Sequence, residues 1–153
     1  MSTIAKLLST KDIRLDMEVS SRDSLLDKIA RHMEREHGMP KEWVFQSLSR
    51  REKIGSTALG EGVAVPHARI KDLQRVHLAY IRLRQPIPFE APDGKPVSDI
   101  LVILVPKEAT EEHLRILSEV TQMFSDPQFR LQLRNCGEAG ETKRLFDEWL
   151  LPA

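Results

Sequence analysis

The alternation of two hydrophobic periods along the chain predicts an α/β fold, a mixed sheet covered by helices on both sides. Three observations carry this expectation. Residues 13–19 alternate apolar and polar with the period of a strand. The run Asp-Ile-Leu-Val-Ile-Leu-Val at 99–105 is apolar on both faces, as in a buried strand. Long stretches after each have apolar residues at helical spacing. The predicted order is β-α-α-β-β-β-α-α-α.

The first strand comes from Ile13, Leu15, Met17 and Val19 alternating with Arg14, Asp16 and Glu18. Ser20 or Ser21 caps the next helix, in which Leu25, Leu26, Ile29, Ala30 and Met33 recur on one face until Gly38 supplies a left-handed stop. Pro40 opens a second helix, expected to carry Trp43, Val44, Phe45 and Leu48 inward. The Gly55–Gly62 loop then leads into a short strand at Val63–Val65. Further strands are expected at Val76–Leu83 and Asp99–Val105. Between these two, Gln85-Pro86-Ile87-Pro88-Phe89 and Ala91-Pro92-Asp93-Gly94 read as surface loop, with Asp93-Gly94 a turn. Thr110 caps the next helix, with Glu111 and Glu112 in its first turn and Leu114, Leu117, Val120 and Phe124 on one face. Asp126-Pro127 starts another helix, anchored by Phe129 and Leu133. The last brings in Leu145, Phe146, Trp149 and Leu150.

The 153 residues are the size of one domain, with a core expected over about 8–149. Twenty-three basic residues balance 23 acidic ones, so no excess charge favours nucleic acid or an anionic membrane. The apolar patch Ile4, Ala5, Leu7, Leu8 is interrupted by Lys6 and is too short for a signal peptide or membrane insertion, which predicts a cytoplasmic chain. The lone cysteine, Cys136, sits at a helix end and reads as a small buried hydrophobe.

The chemistry concentrates in Gly60-Glu61-Gly62-Val63-Ala64-Val65-Pro66-His67-Ala68-Arg69. Pro66 restricts Val65 to extended geometry and fixes its own φ, so His67 is expected to leave the sheet in one defined direction. A neutral imidazole is a nucleophile, and beside an arginine its natural electrophile is phosphorus. His113 falls in the first turn of the helix that follows the buried strand, where backbone N–H groups and the helix dipole favour an anion. It is a candidate supporter of His67. Arg51 and Arg69 can each grip phosphate oxygens with a bidentate guanidinium, and Ser56 and Thr57 can add donors or simply form the turn. Arg50, Lys53 and Lys71 read as solvated charges. His32 and His37 read as surface or capping residues at a helix end, and His77 as structural.

Other chemistries lack their motifs. There is no Gly-x-x-x-x-Gly-Lys phosphate loop, no complete dinucleotide fingerprint, no Gly-x-Ser-x-Gly elbow and no closely spaced histidine pair for zinc. Glu111-Glu112-His113 lacks a flanking ligand and reads as a helix start. No metal or cofactor is expected.

The residues from Arg51 to His67, above all Ile54-Gly55-Ser56-Thr57-Ala58-Leu59-Gly60-Glu61-Gly62 and Val65-Pro66-His67, resemble the enzyme IIA domains of the fructose, mannitol and nitrogen-regulatory type. These belong to the bacterial phosphoenolpyruvate-dependent phosphotransferase system. A second block, Leu104 to Leu114, is similar to the same family, and the resemblance spans about Leu8 to Trp149. It implies a three-layer α/β/α sandwich with a mixed four-stranded core sheet. It also implies that His67 accepts a phosphoryl group, as a tele-phosphohistidine, from an HPr-like carrier, with His113 and Arg51 stabilising the phosphate. Ala68 stands where many relatives have glycine. The Gly-Ser-Thr-Ala-Leu-Gly-Glu-Gly loop and the absence of permease or carrier segments look most like the nitrogen-regulatory branch. That branch controls partner proteins, such as sensor kinases or ion transporters, through its phosphorylation state. The alternatives are a sugar-specific component serving a fructose or mannitol permease and, in another class, a non-catalytic binding module with a structural histidine.

Overall fold

The computed structural model describes residues 2–108 and 111–149. Thr110 and Leu150, expected as a helix cap and a core residue, lie outside them. The elements are α1 (Thr3–Leu7), a 3-10 turn (Thr10–Asp12), β1 (Ile13–Met17), α2 (Arg22–His37) and α3 (Lys41–Ile54). They continue with β2 (Ala58–Gly60), β3 (Val63–Ala64), β4 (His67–Ile70), β5 (His77–Ile87) and β6 (Val97–Pro106). Helices α4 (Glu111–Ser125), α5 (Pro127–Arg134) and α6 (Ala139–Glu148) complete the order.

Six strands form one mixed sheet in the order β1-β5-β6-β3-β2, with β4 also paired to β6. Strands β1 and β5 are parallel, β5 and β6 antiparallel, and β3 and β4 both run parallel to β6. The expected four-stranded core sheet is thus extended by short strands. Helix α1 and strands β2 and β4 are additions to the predicted order, each too short for a hydrophobic period to declare itself.

The two faces of the sheet are covered separately. On one, Leu25, Leu26, Ile29 and Met33 of α2 and Val44 and Leu48 of α3 pack on Ala79, Ile81, Ile100, Val102 and Leu104. On the other, Ile116, Val120, Met123 and Phe124 of α4, Phe129 and Leu133 of α5 and Phe146 of α6 meet Leu78, Tyr80, Leu101, Ile103 and Val105. Ile4 and Leu8 of the N-terminal segment join this second core, so it begins earlier than residue 8. The alternation of β6 between the cores makes its apolar run obligatory, each full burial contributing about 1.5–3 kcal/mol.

Ends and turns follow local chemistry. Ser21 caps α2 in a reciprocal capping box with Ser24, and Gly38 ends it at φ 70°. Asp126 accepts from the Gln128 N–H at 2.9 Å and starts α5. Pro40 occupies the cap of α3, one residue before the first turn. Cys136 is buried just after α5, as expected.

Other expectations are corrected. Met17 and Val19 face the α2/α3 core, whereas Ile13 and Leu15 face the opposite one. The pairing with β5 shifts register between Arg14 and Met17, and Asp16 takes φ 56°, so the irregularity flips the strand's buried face. Gln85-Pro86-Ile87 belongs to β5 rather than to a loop, and Ile87 and Phe89 are buried. Trp43 is exposed and receives Lys71, whose Nζ lies 5.8 Å from the ring centroid. Leu114 is also exposed, and Ile116 and Met123 take inward positions on α4 instead.

Candidate functional site

Two short strands hold one line alongside β6. Val63 and Ala64 pair with Asp99 and Ile100, and His67 to Ile70 pair with Ile103 to Pro106. Between them Pro66 cannot donate, yet its carbonyl accepts the Ile103 N–H at 2.9 Å, so the chain stays in register across the break. His67 therefore does not leave the sheet. It is the first residue of β4, half-buried beside the most enclosed strand.

The turn before this line is set by glycine. Strands β2 and β3 are joined through Glu61 and Gly62, both at positive φ, as primed hairpin turns require. Asp93 fastens it by accepting the Glu61 N–H at 2.8 Å. Gly60, at φ 99°, is pressed so close that an added Cβ would lie 3.3 Å from the Asp93 carboxylate.

His67, His113, Arg51 and Arg69 line one open cavity of about 410 Å³ together with Ser47, Arg50, Ile54 and Ala68. The two imidazoles meet edge to face with centroids 5.4 Å apart. His67 Nδ1 donates to the Val65 carbonyl oxygen at 2.8 Å, a bond that assigns the proton to Nδ1 and leaves a lone pair on Nε2. The Nε2 of His113 is buried and without a hydrogen-bond partner among the described residues. Arg51 lies in the last turn of α3, where its Nη1 donates to the Gly55 carbonyl at 2.8 Å. Arg69 donates to the carbonyl of Lys107.

Electrostatics keep both rings neutral. Burial lowers the His67 pKa from its ordinary value and the Arg51 charge lowers it further, against opposing effects of the Val65 bond and Glu52. For His113 burial again leads, followed by His67 and Arg69. The cavity thus combines neutral imidazoles with guanidinium groups, a setting for a nucleophilic nitrogen and an incoming anion.

Thr57 is placed one layer below the cavity. Its hydroxyl and its N–H both donate to the buried carboxylate of Glu52, the latter at 3.1 Å. The Thr57 carbonyl accepts the Val65 N–H at 3.0 Å. A continuous chain of bonds therefore runs from Glu52 through Thr57 and Val65 to the His67 ring. Glu52 was not singled out from sequence, where it reads as one more charge between Arg51 and Lys53. Ser56 takes the turn role, donating to Phe89 O and accepting the Ala58 N–H. Arg50, expected to be merely solvated, borders the cavity.

The other histidines form a separate group. His32 is buried rather than at the surface, and its Nε2 meets Asp12 Oδ1 at 2.7 Å. His37 Nε2 reaches the same oxygen at 2.9 Å, and the His77 ring lies edge-on to His37 with centroids 4.7 Å apart.

The family described as "Phosphoenolpyruvate-dependent sugar phosphotransferase system, EIIA 2" matches residues 6–149. A nitrogen regulatory protein of Pseudomonas aeruginosa is 34% identical over 142 residues, covering 91% of each chain. The crystal structure of nitrogen regulatory protein IIA-Ntr from Neisseria meningitidis superposes with a TM-score of 0.89 at 43% identity, covering 94% of this chain and 99% of that one. Enzyme IIA for mannitol from Escherichia coli, in its complex with phosphorylated IIB, shares the fold with a TM-score of 0.78 at 18% identity, covering 94% and 100%. The chain belongs to the EIIA type 2 family of the phosphoenolpyruvate-dependent phosphotransferase system. Within that family it is of the nitrogen regulatory type, like its relatives from Pseudomonas and Neisseria.

Proposed function

We propose that Nε2 of His67 accepts a phosphoryl group from a phosphohistidine on an HPr-like carrier, and that the modification selects which regulated proteins the chain binds. The observation behind this reading is the Nδ1–H···O=C bond to Val65, which leaves the other ring nitrogen as the lone-pair nucleophile in a cavity with three guanidinium groups. In the step, the bond from phosphorus to the carrier imidazole breaks as the bond to Nε2 forms. The His67 proton stays on Nδ1, and the carrier departs as a neutral imidazole if its phosphohistidine enters protonated. Arg51 and the unpaired Nε2 of His113, as its N–H, stabilise the equatorial oxygens, and in-line positioning supplies the rest of the catalysis.

The surroundings suit a protein donor. Ile54, on the cavity rim, is 84% exposed, and Leu114, next to His113, is 69% exposed, so apolar side chains flank the positive hollow. Phosphorylation adds about two negative charges to this face, enough to change which surfaces dock there. No described helix is long and apolar enough to cross a membrane.

Incubation with phosphoenolpyruvate, the first enzyme of the system and a cognate carrier is expected to place acid-labile phosphate on His67. Label persisting in His67→Ala would assign the acceptor elsewhere. The shared fold with mannitol IIA favours a second reading, transfer onward to a fructose or mannitol permease. Deletion of the gene separates the two, because that reading alone predicts a direct uptake defect on those sugars.

A further inference from the structure

A second cavity, of about 300 Å³, opens where β5 begins, lined by residues of α1, the 3-10 turn, α2, β5 and α6. It shares no lining residue with the His67 cavity. Strand β6 separates them, since Leu104 pairs with His77 on one side and with Ala68 on the other.

The lining charges are lopsided. Lys6, Lys11, Arg75 and Lys143 face one carboxylate, Asp12, in a chain whose formal net charge is zero. Asp12 is already occupied, receiving His32 and His37 on its oxygens at 2.7–3.1 Å. Those bonds outweigh the upward push of burial and hold its pKa below the ordinary carboxylate value. Lys143 is committed to Asp147 at 2.6 Å and to the Ala5 carbonyl. Lys6, Lys11 and Arg75 have no ion-pair partner among the described residues, and these exposed cations gather at the border of one hollow.

We propose that this cavity is a binding site for a small phosphate-bearing anion, either inorganic phosphate or a phosphomonoester. A guanidinium, two ammonium groups and an imidazole around one space match a dianion with three acceptor oxygens. Leu7, Leu8, Val76 and Leu78 supply apolar wall for a short organic body, and the volume is at the lower end of small-molecule sites. The His77 ring reports occupancy. The groups around it are His37 from α2, Asp12 and Lys11 from the 3-10 turn and Arg75 on its own segment. Burial first, then His37, Arg75 and Lys11, hold its pKa down to about 4, with Asp12 opposing. An anion among these cations offsets their effect and raises the His77 pKa.

The test is NMR of histidine-labelled full chain at constant ionic strength, titrated with inorganic phosphate, glycerol 3-phosphate or malonate. The expected result is a saturable shift of the His77 resonances with one or both phosphate compounds, the tighter of the two identifying the source. His77 should then titrate about one pH unit higher or more. Lys11→Gln/Arg75→Gln, which alters only exposed side chains, should weaken binding about tenfold or more, and His67→Gln should leave it unchanged. A non-saturating shift, equal affinity in the double variant, loss of the shift in His67→Gln, or saturation by malonate alone would each overturn the assignment. Because the His67→Gln arm does not require phosphotransfer, the result stands apart from the function proposed for His67.

Discussion

His67 donates its Nδ1–H to the carbonyl of Val65, two residues earlier, at 2.8 Å. The intervening Pro66 has a fixed φ and its own carbonyl is held by Ile103, so the ring is tied down at both its backbone and its side chain. The bond selects a tautomer as well as an orientation. Phosphorylated protein should therefore carry phosphorus on Nε2, and nitrogen-15 NMR of labelled histidine identifies the bonded nitrogen directly. Phosphorus on Nδ1 would require this bond to be broken.

The depressed basicity of His67 sets a pH expectation. Burial and Arg51 place its pKa below 6.5, so the neutral, nucleophilic ring persists as pH falls through the ordinary histidine range and is lost only at lower pH. Removing the Arg51 charge in Arg51→Gln should move the titration upward. A histidine NMR titration measures both curves, and a downward move in the variant would contradict this account.

His113 offers a separation of stability from activity. Its buried Nε2 has no partner among the described residues, so truncation in His113→Ala should cost little folding free energy. Under the function proposed for His67, the same change removes a donor to the transferring group and should slow phosphoryl acceptance by about one hundredfold. Urea unfolding and single-turnover transfer from the phosphorylated carrier provide the two readings.

Behind the site, Thr57→Val removes the hydroxyl that donates to the buried Glu52 carboxylate. Leaving that acceptor short of a donor should destabilise the fold by about 1–3 kcal/mol, read as a lower urea midpoint. Because Thr57 also holds the Val65 N–H through its backbone, which the substitution keeps, the His67 titration should remain near wild type.

Acid stability should show the second histidine group. His77 has a folded pKa of about 4 against an ordinary value near 6.5. Its contribution to stability is complete above the unfolded value and is lost as pH falls through 6.5 towards 4, where the unfolded chain binds the extra proton. Asp12, with a pKa below its usual 3.8, loses its contribution at still lower pH. His77→Gln should reduce the slope of the stability–pH curve between about pH 6.5 and 4 and leave the acid limb from Asp12 in place.

Long periodic stretches were legible in the sequence, and short or compensated ones were not. The apolar run of β6, the capped helix α2 with its Gly38 stop and the Asp126-Pro127 start of α5 each carry a strong local signal. Strand β4 carries none. Its four residues, His67–Ile70, are extended because β6 lies beside them, a tertiary cause outside any local window. The face reversal in β1 depends on a positive φ at Asp16, a residue whose type does not demand one. Within the site, His67, His113, Arg51 and Arg69 could be named because their residue types declare reactive or anion-binding chemistry. Glu52 could not, since its burial depends on a fold that brings Thr57 over it. His32 likewise looked peripheral until Asp12 arrived from another element.

The line from Val63 to Ile70 along β6 ties the placement of the His67 ring to that central strand. To misplace the imidazole's backbone, the pairing of His67–Ile70 with Ile103–Pro106 must open, and those partners sit in the strand that both cores share. Remote damage to either core should therefore lower the amount of native protein recovered while leaving each surviving molecule with its His67 ring presented unchanged.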